Sequence, residues 1–224
     1  LAIESLSGDG TVTSGPFSSQ SPYYDPKVIS RKNNFSKAES LLEKSLTKGD
    51  EYFQIDGKDI YLTLIYDRTI SDREEIAIDQ IVEDLKRLGL YTHAKALGTG
   101  AYKARLNRGN YDIVYYTHQY DRRSFAHTLF ASNSLIKDKG YTNLNYGKYF
   151  DKTVDALVEE WSNAKDRVSR NKIGKDFHKR LNDEVAAIFL YSQKSYAIHR
   201  ESLSPIIVPY YFFGRPHEWK IKNN

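Results

Sequence analysis

The residues best suited to chemistry stand in one short run. His118, Gln119, Tyr120, Asp121, Arg122 and Arg123 follow the apolar stretch 111–117 without a break. A carboxylate there can pair with a ligand ammonium, and the guanidinium groups with a ligand carboxylate. The preceding stretch, YDIVYYT, reads as a strand, so the run leaves the carboxyl end of a strand. Open α/β sheets place their ligands at that end. The plain alternative is a solvated polar loop.

Catalytic constellations are missing elsewhere. The sequence has no HExxH, no G-x-S-x-G, no P-loop and no GxGxxG. Gly98-Thr99-Gly100 lacks the third glycine and the lysine of a phosphate cradle and reads as a turn. The six histidines are scattered. Only His118 and His127 flank one segment, and no pair stands at helical i, i+4 spacing for a metal. The absence of cysteine removes thiolate metal sites, disulfides and a Cys nucleophile. No catalytic residue, metal or cofactor is therefore expected. Asp112 opens a strand and reads as structural.

Charge narrows the partners. The 33 basic and 29 acidic residues give a net charge of +4, and they alternate rather than cluster. Nucleic acid is not an expected partner. The aromatic run Tyr210-Tyr211-Phe212-Phe213 lacks the basic cluster of a base-stacking platform and reads as a packing surface. A 224-residue chain with 40 % hydrophobic residues can bury a core. No stretch has the length of a membrane span. A Leu start and the lack of methionine suggest a processed chain or an excised piece.

The elements that must position these groups can be read in order. The first 35 residues are rich in turn signals, such as Ser14-Gly15-Pro16, and read as irregular. Ser36 with Glu39 has capping-box spacing and opens a helix with Ala38, Leu41 and Leu42 on one face. Residues 60–66 are apolar on both alternating sets, as in a strand buried on both faces. Ser71 with Glu74 repeats the capping box before Ile78, Ile81, Val82, Leu85 and Leu88, and Gly89 ends that helix. A strand over 90–95 follows. Next come a helix capped by Thr99, carrying Tyr102 and Leu106 at i, i+4 on one face and ended by Gly109, then the strand 111–117. Strand, helix, strand, helix, strand with short connections is a doubly wound α/β unit. Residues 124–132 suggest a short helix. Phe150, Val154, Leu157, Val158 and Trp161 mark one helix face. Ile173, Phe177, Leu181, Val185 and Ile188 mark another. Short extended pieces follow at 187–191 and 196–199, and the tail 205–219 reads as irregular.

The ordered set SGPFSSQSPYYDPKV, FSKAESLLEKS, IYLTLIYD, DREEIAIDQIVEDLKRLGLYTHAKAL, YKARLNRGNYDIVYYTHQYD, FDKTVDALVEEW and VAAIFLYSQKSYAIH covers nearly the whole chain. It resembles the C-terminal half of the family 5 extracellular solute-binding proteins of peptide-type (oligopeptide and dipeptide) ABC importers. The resemblance implies an α/β fold, a type II periplasmic-binding-protein-like lobe. Its doubly wound, mostly parallel sheet would be flanked by helices. Irregular N- and C-terminal segments would pack on a missing first lobe. Residues 1–191 would be the second lobe and 192–224 the hinge and return segment.

The resemblance further implies capture of a peptide in a two-lobed cleft and delivery to a membrane permease, without bond making. The protein would be exported to the periplasm or the outer face of the cytoplasmic membrane, with or without a lipid anchor. In the family's peptide binders, an Asp after the strand that follows the "RL" helix pairs with the ligand α-ammonium. Counting forward from the strand gives Asp121 that place; counting back from Phe125 gives it a later acidic place in the loop. The family's Trp and Pro are absent from THQYDRRSF. His118, Gln119, Tyr120 and Arg123 would neighbour that Asp. Asn143, Asn145 and Tyr146 match the Asn and Tyr that precede the Phe-Asp helix near the cleft. Alternatives are a nickel chelate, haem, glutathione or oligosaccharide ligand, or the sensor half of a transcription regulator.

Overall fold

A computed structural model describes residues 10–119, 125–132, 135, 144–193, 198–208 and 212–221. The chain runs through β1 (Gly10–Val12), α1 (Phe35–Ser45), β2 (Thr47–Lys48), β3 (Phe53–Ile55), β4 (Lys58–Asp59) and β5 (Tyr61–Asp67). It continues with α2 (Asp72–Arg87), β6 (Tyr91–Leu97), α3 (Thr99–Arg108), β7 (Ile113–Val114) and α4 (His127–Phe130). Then come α5 (Lys152–Asn163), α6 (Arg167–Asp183), β8 (Tyr191–Gln193), β9 (Leu203–Ser204), β10 (Ile206–Val208), β11 (Phe212–Gly214) and β12 (Lys220–Ile221). Two compact units divide these elements. One is Arg31–His118; the other holds the described residues 10–30 and those from Gln119 onward.

The first unit is built on β5. This strand pairs in parallel with β6, from Tyr61↔Tyr91 to Asp67↔Leu97, and with β7 at Leu64↔Ile113 and Ile65↔Val114. Leu64 and Ile65 point to opposite faces and are both buried, as the two-sided apolar pattern predicts. Helix α2 buries Ala77, Ile78 and Val82. Its start is the expected capping box: Ser71 Oγ accepts from the Glu74 N–H, and the Glu74 carboxylate accepts from the Ser71 N–H. Its end is a Schellman turn. Gly89, at φ 81°, donates its N–H to Lys86 O at 2.8 Å, and Leu90 donates to Leu85 O at 3.0 Å.

Helix α3 buries Tyr102 and Leu106 and ends at left-handed Gly109, as expected. Its cap differs. Gly98 is the N-cap and Thr99 the first helical residue. Helix α1 also differs. Asn34 caps it by accepting from the Lys37 N–H at 2.9 Å, so Ser36 lies inside the helix and Leu41 is exposed. The antiparallel meander β2-β3-β4 turns at Asp56-Gly57, both at positive φ, the signature of a two-residue hairpin loop.

The second unit centres on α5 and α6. Val154, Val158, Phe177 and Leu181 are buried with Phe125, Ala126, Phe130 and Ala131. Asp151 caps α5 by accepting from the Thr153 and Val154 N–H groups, and its other oxygen accepts from Arg180 of α6 at 2.6 Å. Phe150, expected on the buried face, precedes that cap and is exposed. Helix α6 stops at Asp183 instead of carrying the pattern on to Val185 and Ile188, which are both exposed. In the tail, β9 pairs with β12 and β10 with β11, all antiparallel, where the sequence reads as irregular.

The turn-rich segment near the N-terminus makes its own contacts within this chain. Strand β1 pairs antiparallel with β8. Phe17 and Tyr23 are core residues of the second unit. His178 of α6, fully buried, shares a 3.1 Å hydrogen bond between Nε2 and Ser14 Oγ, and its ring stacks on Phe17. Asn182 donates to Ser14 O at 2.7 Å. Turn residues concealed this docking because its carriers are single side chains, not a periodic face.

Gly174 makes room for Tyr23. A Cβ at 174 would lie 2.4 Å from the Tyr23 ring and 2.8 Å from its Cβ. Gly174→Ala therefore lowers stability by about 1–3 kcal/mol through overpacking, despite alanine's better helix propensity; urea unfolding measures it.

Burial pushes the His178 imidazole down to about 4, with the Asp25 charge opposing. The unfolded chain then binds the extra proton between roughly pH 6.5 and 4. The stability that neutral His178 contributes is complete above pH 6.5. It falls as pH drops through that window, by on the order of 2–3 kcal/mol. Urea midpoints across this range check the slope.

Candidate functional site

The carboxyl end of the parallel sheet carries the candidate residues of the first unit. At the end of β5, Asp67 Oδ1 accepts from the Thr69 N–H at 3.0 Å and the Thr69 hydroxyl at 2.9 Å. It also accepts from the Thr99 hydroxyl at 3.2 Å. These bonds, the Thr69 N–H first, hold its carboxyl below the usual carboxylate range. Asp67 thus ties the β5 end to the start of α3.

Beyond β7 the chain is fixed once more, at Tyr115. Its N–H donates to Ile65 O at 3.0 Å, its carbonyl accepts from the Tyr102 hydroxyl at 2.7 Å, and its own hydroxyl donates to Glu74 Oε1 at 3.0 Å. The other Glu74 oxygen serves the Ser71 cap. Tyr115 and Tyr102 are both buried. The neighbouring Tyr66 hydroxyl donates to Glu75 at 2.8 Å, and burial, then this bond, pushes Tyr66 up to about 12.

The candidate run begins three residues after Tyr115, at His118. His118 is half-buried and stacks on Tyr116, with ring centroids 6.0 Å apart and planes at 21°. Burial holds its imidazole below the ordinary histidine value. Gln119, next in the chain, is exposed. Tyr120, Asp121 and Arg123 lie outside the described residues, as does Asn143. Asp112 is structural, as expected: its Oδ2 accepts from the Thr63 N–H at 2.8 Å.

The second unit holds Asn145, Tyr146 and His127. Asn145 is buried and turned inward: its amide donates to Ala131 O at 2.9 Å and Tyr149 O at 2.7 Å, while its Oδ1 accepts from the Tyr149 N–H. Geometry makes it a clamp on the turn before α5, with both amide hydrogens committed to the backbone. Tyr146 is half-buried in that turn and donates its N–H to Leu144 O. His127 lies near-parallel to the rings of Phe125 and Trp161, at 6.0 and 6.3 Å. No group of three metal-ligating side chains occurs among the described residues.

Sequence reasoning missed the anchors Tyr115, Tyr102 and Glu74 as a set. One signal was available: a tyrosine expected in a core needs a partner for its hydroxyl. Spacing names Tyr102 as buried, but it does not name the Tyr115 carbonyl as that partner.

No protein-family model and no curated protein sequence matches the chain. Solved structures do. The oligopeptide-binding protein AppA from Bacillus subtilis, in complex with a nonapeptide, matches 100 % of this chain and 46 % of its own at TM-score 0.79 and 21 % identity. NikZ from Campylobacter jejuni, in complex with Ni(L-His), matches 85 % of this chain and 39 % of its own at TM-score 0.68 and 20 % identity. A mannohexaose-bound periplasmic oligopeptide-binding protein of an ABC transporter from Thermotoga maritima matches 85 % and 38 % at TM-score 0.67 and 18 % identity. The chain has the α/β fold of part of these binding proteins. It spans less than half the length of each. Ligands as unlike as a nonapeptide, a nickel complex and a hexasaccharide occur on this one fold, so the fold alone does not select a ligand.

Asn145→Ala would take its donor from the Ala131 carbonyl, at a buried bond, and from the Tyr149 carbonyl, at a part-buried one. A loss of about 2–4 kcal/mol in urea unfolding is expected.

Proposed function

We propose that this chain is the second lobe and return segment of the substrate-binding component of a peptide-type ABC importer. Residues 1–191 are assigned to the lobe and 192–224 to the hinge and return. A first lobe in the rest of the protein completes the cleft. A permease in the membrane receives the ligand, and the protein works outside the cytoplasmic membrane. The observation that supports a receptor lobe is the match of the whole chain to part of a substrate-binding structure, and the peptide class is taken from the resemblance of the ordered motifs.

In this reading the run after β7 is the ligand edge. Asp121 pairs with the peptide ammonium and Arg123 with a carboxylate, while His118, Gln119 and Tyr120 line the approach. Asn143 and Tyr146, which precede α5 in the sequence, contribute to binding, and Asn145 holds the turn that contains Tyr146. Peptides of varied sequence are gripped by their termini and backbone, so their side chains can differ. Ligand binding stabilises the closed arrangement by its differential affinity for the two states, and no bond is made or broken.

Calorimetry on the product of the complete gene tests the reading. Nonapeptides of mixed sequence are expected to bind, while Ni(L-His) and mannohexaose do not. Binding of either of those two in place of peptide would transfer the reading to that ligand class. Asp121→Asn weakens nonapeptides at least tenfold, since a charge-assisted bond contributes about 1.5–3 kcal/mol. N-acetylated nonapeptides, lacking the ammonium, bind the two forms alike. The 224-residue chain alone binds weakly; full-strength binding by it would argue against a missing half-cleft.

A further inference from the structure

Three elements distant in sequence meet at Tyr115, three residues before the run that the proposed function assigns to ligand. Its backbone N–H is held by β5, its carbonyl by Tyr102 of α3 and its hydroxyl by Glu74 of α2. Both tyrosines are buried, as is the Tyr102–Tyr115 bond, while the Tyr115–Glu74 bond is part-buried. Glu74 is itself fixed, because its second oxygen caps α2 through Ser71. The main chain after Tyr115 is thus aimed by two helices and a strand at once. Tyr116, the next residue, lies against His118 through its ring, and its hydroxyl approaches His118 Nδ1 at 3.5 Å.

We infer that Tyr115 is a positioning residue: held by Tyr102 and Glu74, it fixes the path of residues 116–118 and so places His118, where the proposed ligand run opens. The inference rests on the proposed function only for its last step. A side chain that binds must be held to within about half an ångström by groups that are themselves locked, and this is such a supporting set. Tyr115 touches no ligand in this scheme. Its hydroxyl and carbonyl act through the chain that follows.

Two conservative variants separate this role from simple stability. Tyr115→Phe removes the bond to Glu74 and leaves the Ser71–Glu74 cap in place. Tyr102→Phe removes the donor to the Tyr115 carbonyl. In each, amide hydrogen exchange at residues 116–118 is expected to rise at least fivefold more than in α2 or α3. The His118 imidazole, followed by NMR, then titrates closer to its ordinary value. Tyr52→Phe is the control. It deletes a hydroxyl bonded to Glu51 near the opposite end of the sheet and leaves residues 116–118 unchanged. Exchange that rises only in step with the rest of the unit, with an unmoved His118 titration, would overturn the inference.

Nonapeptide affinity of the complete gene product completes the test, with about a tenfold loss expected in both variants. Unchanged affinity beside faster exchange would sever Tyr115 from binding. If the unsubstituted protein binds no nonapeptide, the peptide reading fails. The exchange and titration results would still decide whether Tyr115 sets the path of the chain.

Discussion

Strand β5 is hydrogen-bonded along both edges and buried on both faces, and the first unit depends on that condition. Over Leu64–Tyr66, where the strand is buried, both alternating sets must be apolar, because neither face meets water there. Parallel pairing with β6 and β7 then demands crossovers, and α2 and α3 supply them. Once both crossovers are in place, the strand ends converge on one side. There, Asp67 ties β5 to α3, and Glu74 and Tyr102 tie both helices to Tyr115. The candidate ligand edge is a consequence of the central strand's burial.

The second unit is organised differently. Its core is a helix pair, α5 and α6, joined at one end by Asp151, which caps α5 and accepts from Arg180. Across these helices lies a segment without regular structure for most of its length. Aromatic packing of Phe17 and Tyr23 holds it, and the buried Ser14–His178 bond fixes its register. Gly174 leaves the room that the Tyr23 ring fills, and burial pushes the His178 imidazole down to about 4. Shape and protonation state do here what backbone pairing does in the first unit.

This division explains what was legible in the sequence. The capping box at Ser71, the left-handed stop at Gly89, the two-sided strand and the apolar faces of α5 and α6 each arise from neighbours three or four positions apart or alternating. Local spacing encodes such features directly. Asn34 could be mistaken for Ser36 as a cap because both offer an oxygen near a helix start. The Asp56-Gly57 hairpin also had a visible signal in its dipeptide. The tail pairings β9–β12 and β10–β11 join short segments with no strong alternation, and their long-range register had none. Asn145 was legible as a polar residue ahead of a helix, but not as one whose amide is spent on Ala131 and Tyr149.

By itself, then, the sequence determined the α/β order, the central strand, the main helix faces and the location of the candidate ligand run after β7. Those features depend on patterns within a few residues, where side-chain periodicity and capping chemistry act. Only the tertiary structure decided that Tyr115 is held from three sides, that Asn145 looks inward, and that the N-terminal turns belong to this chain's own core. Each of those depends on a hydrogen bond or ring contact between residues far apart in sequence, and no local pattern specifies which distant partner a buried polar group will find.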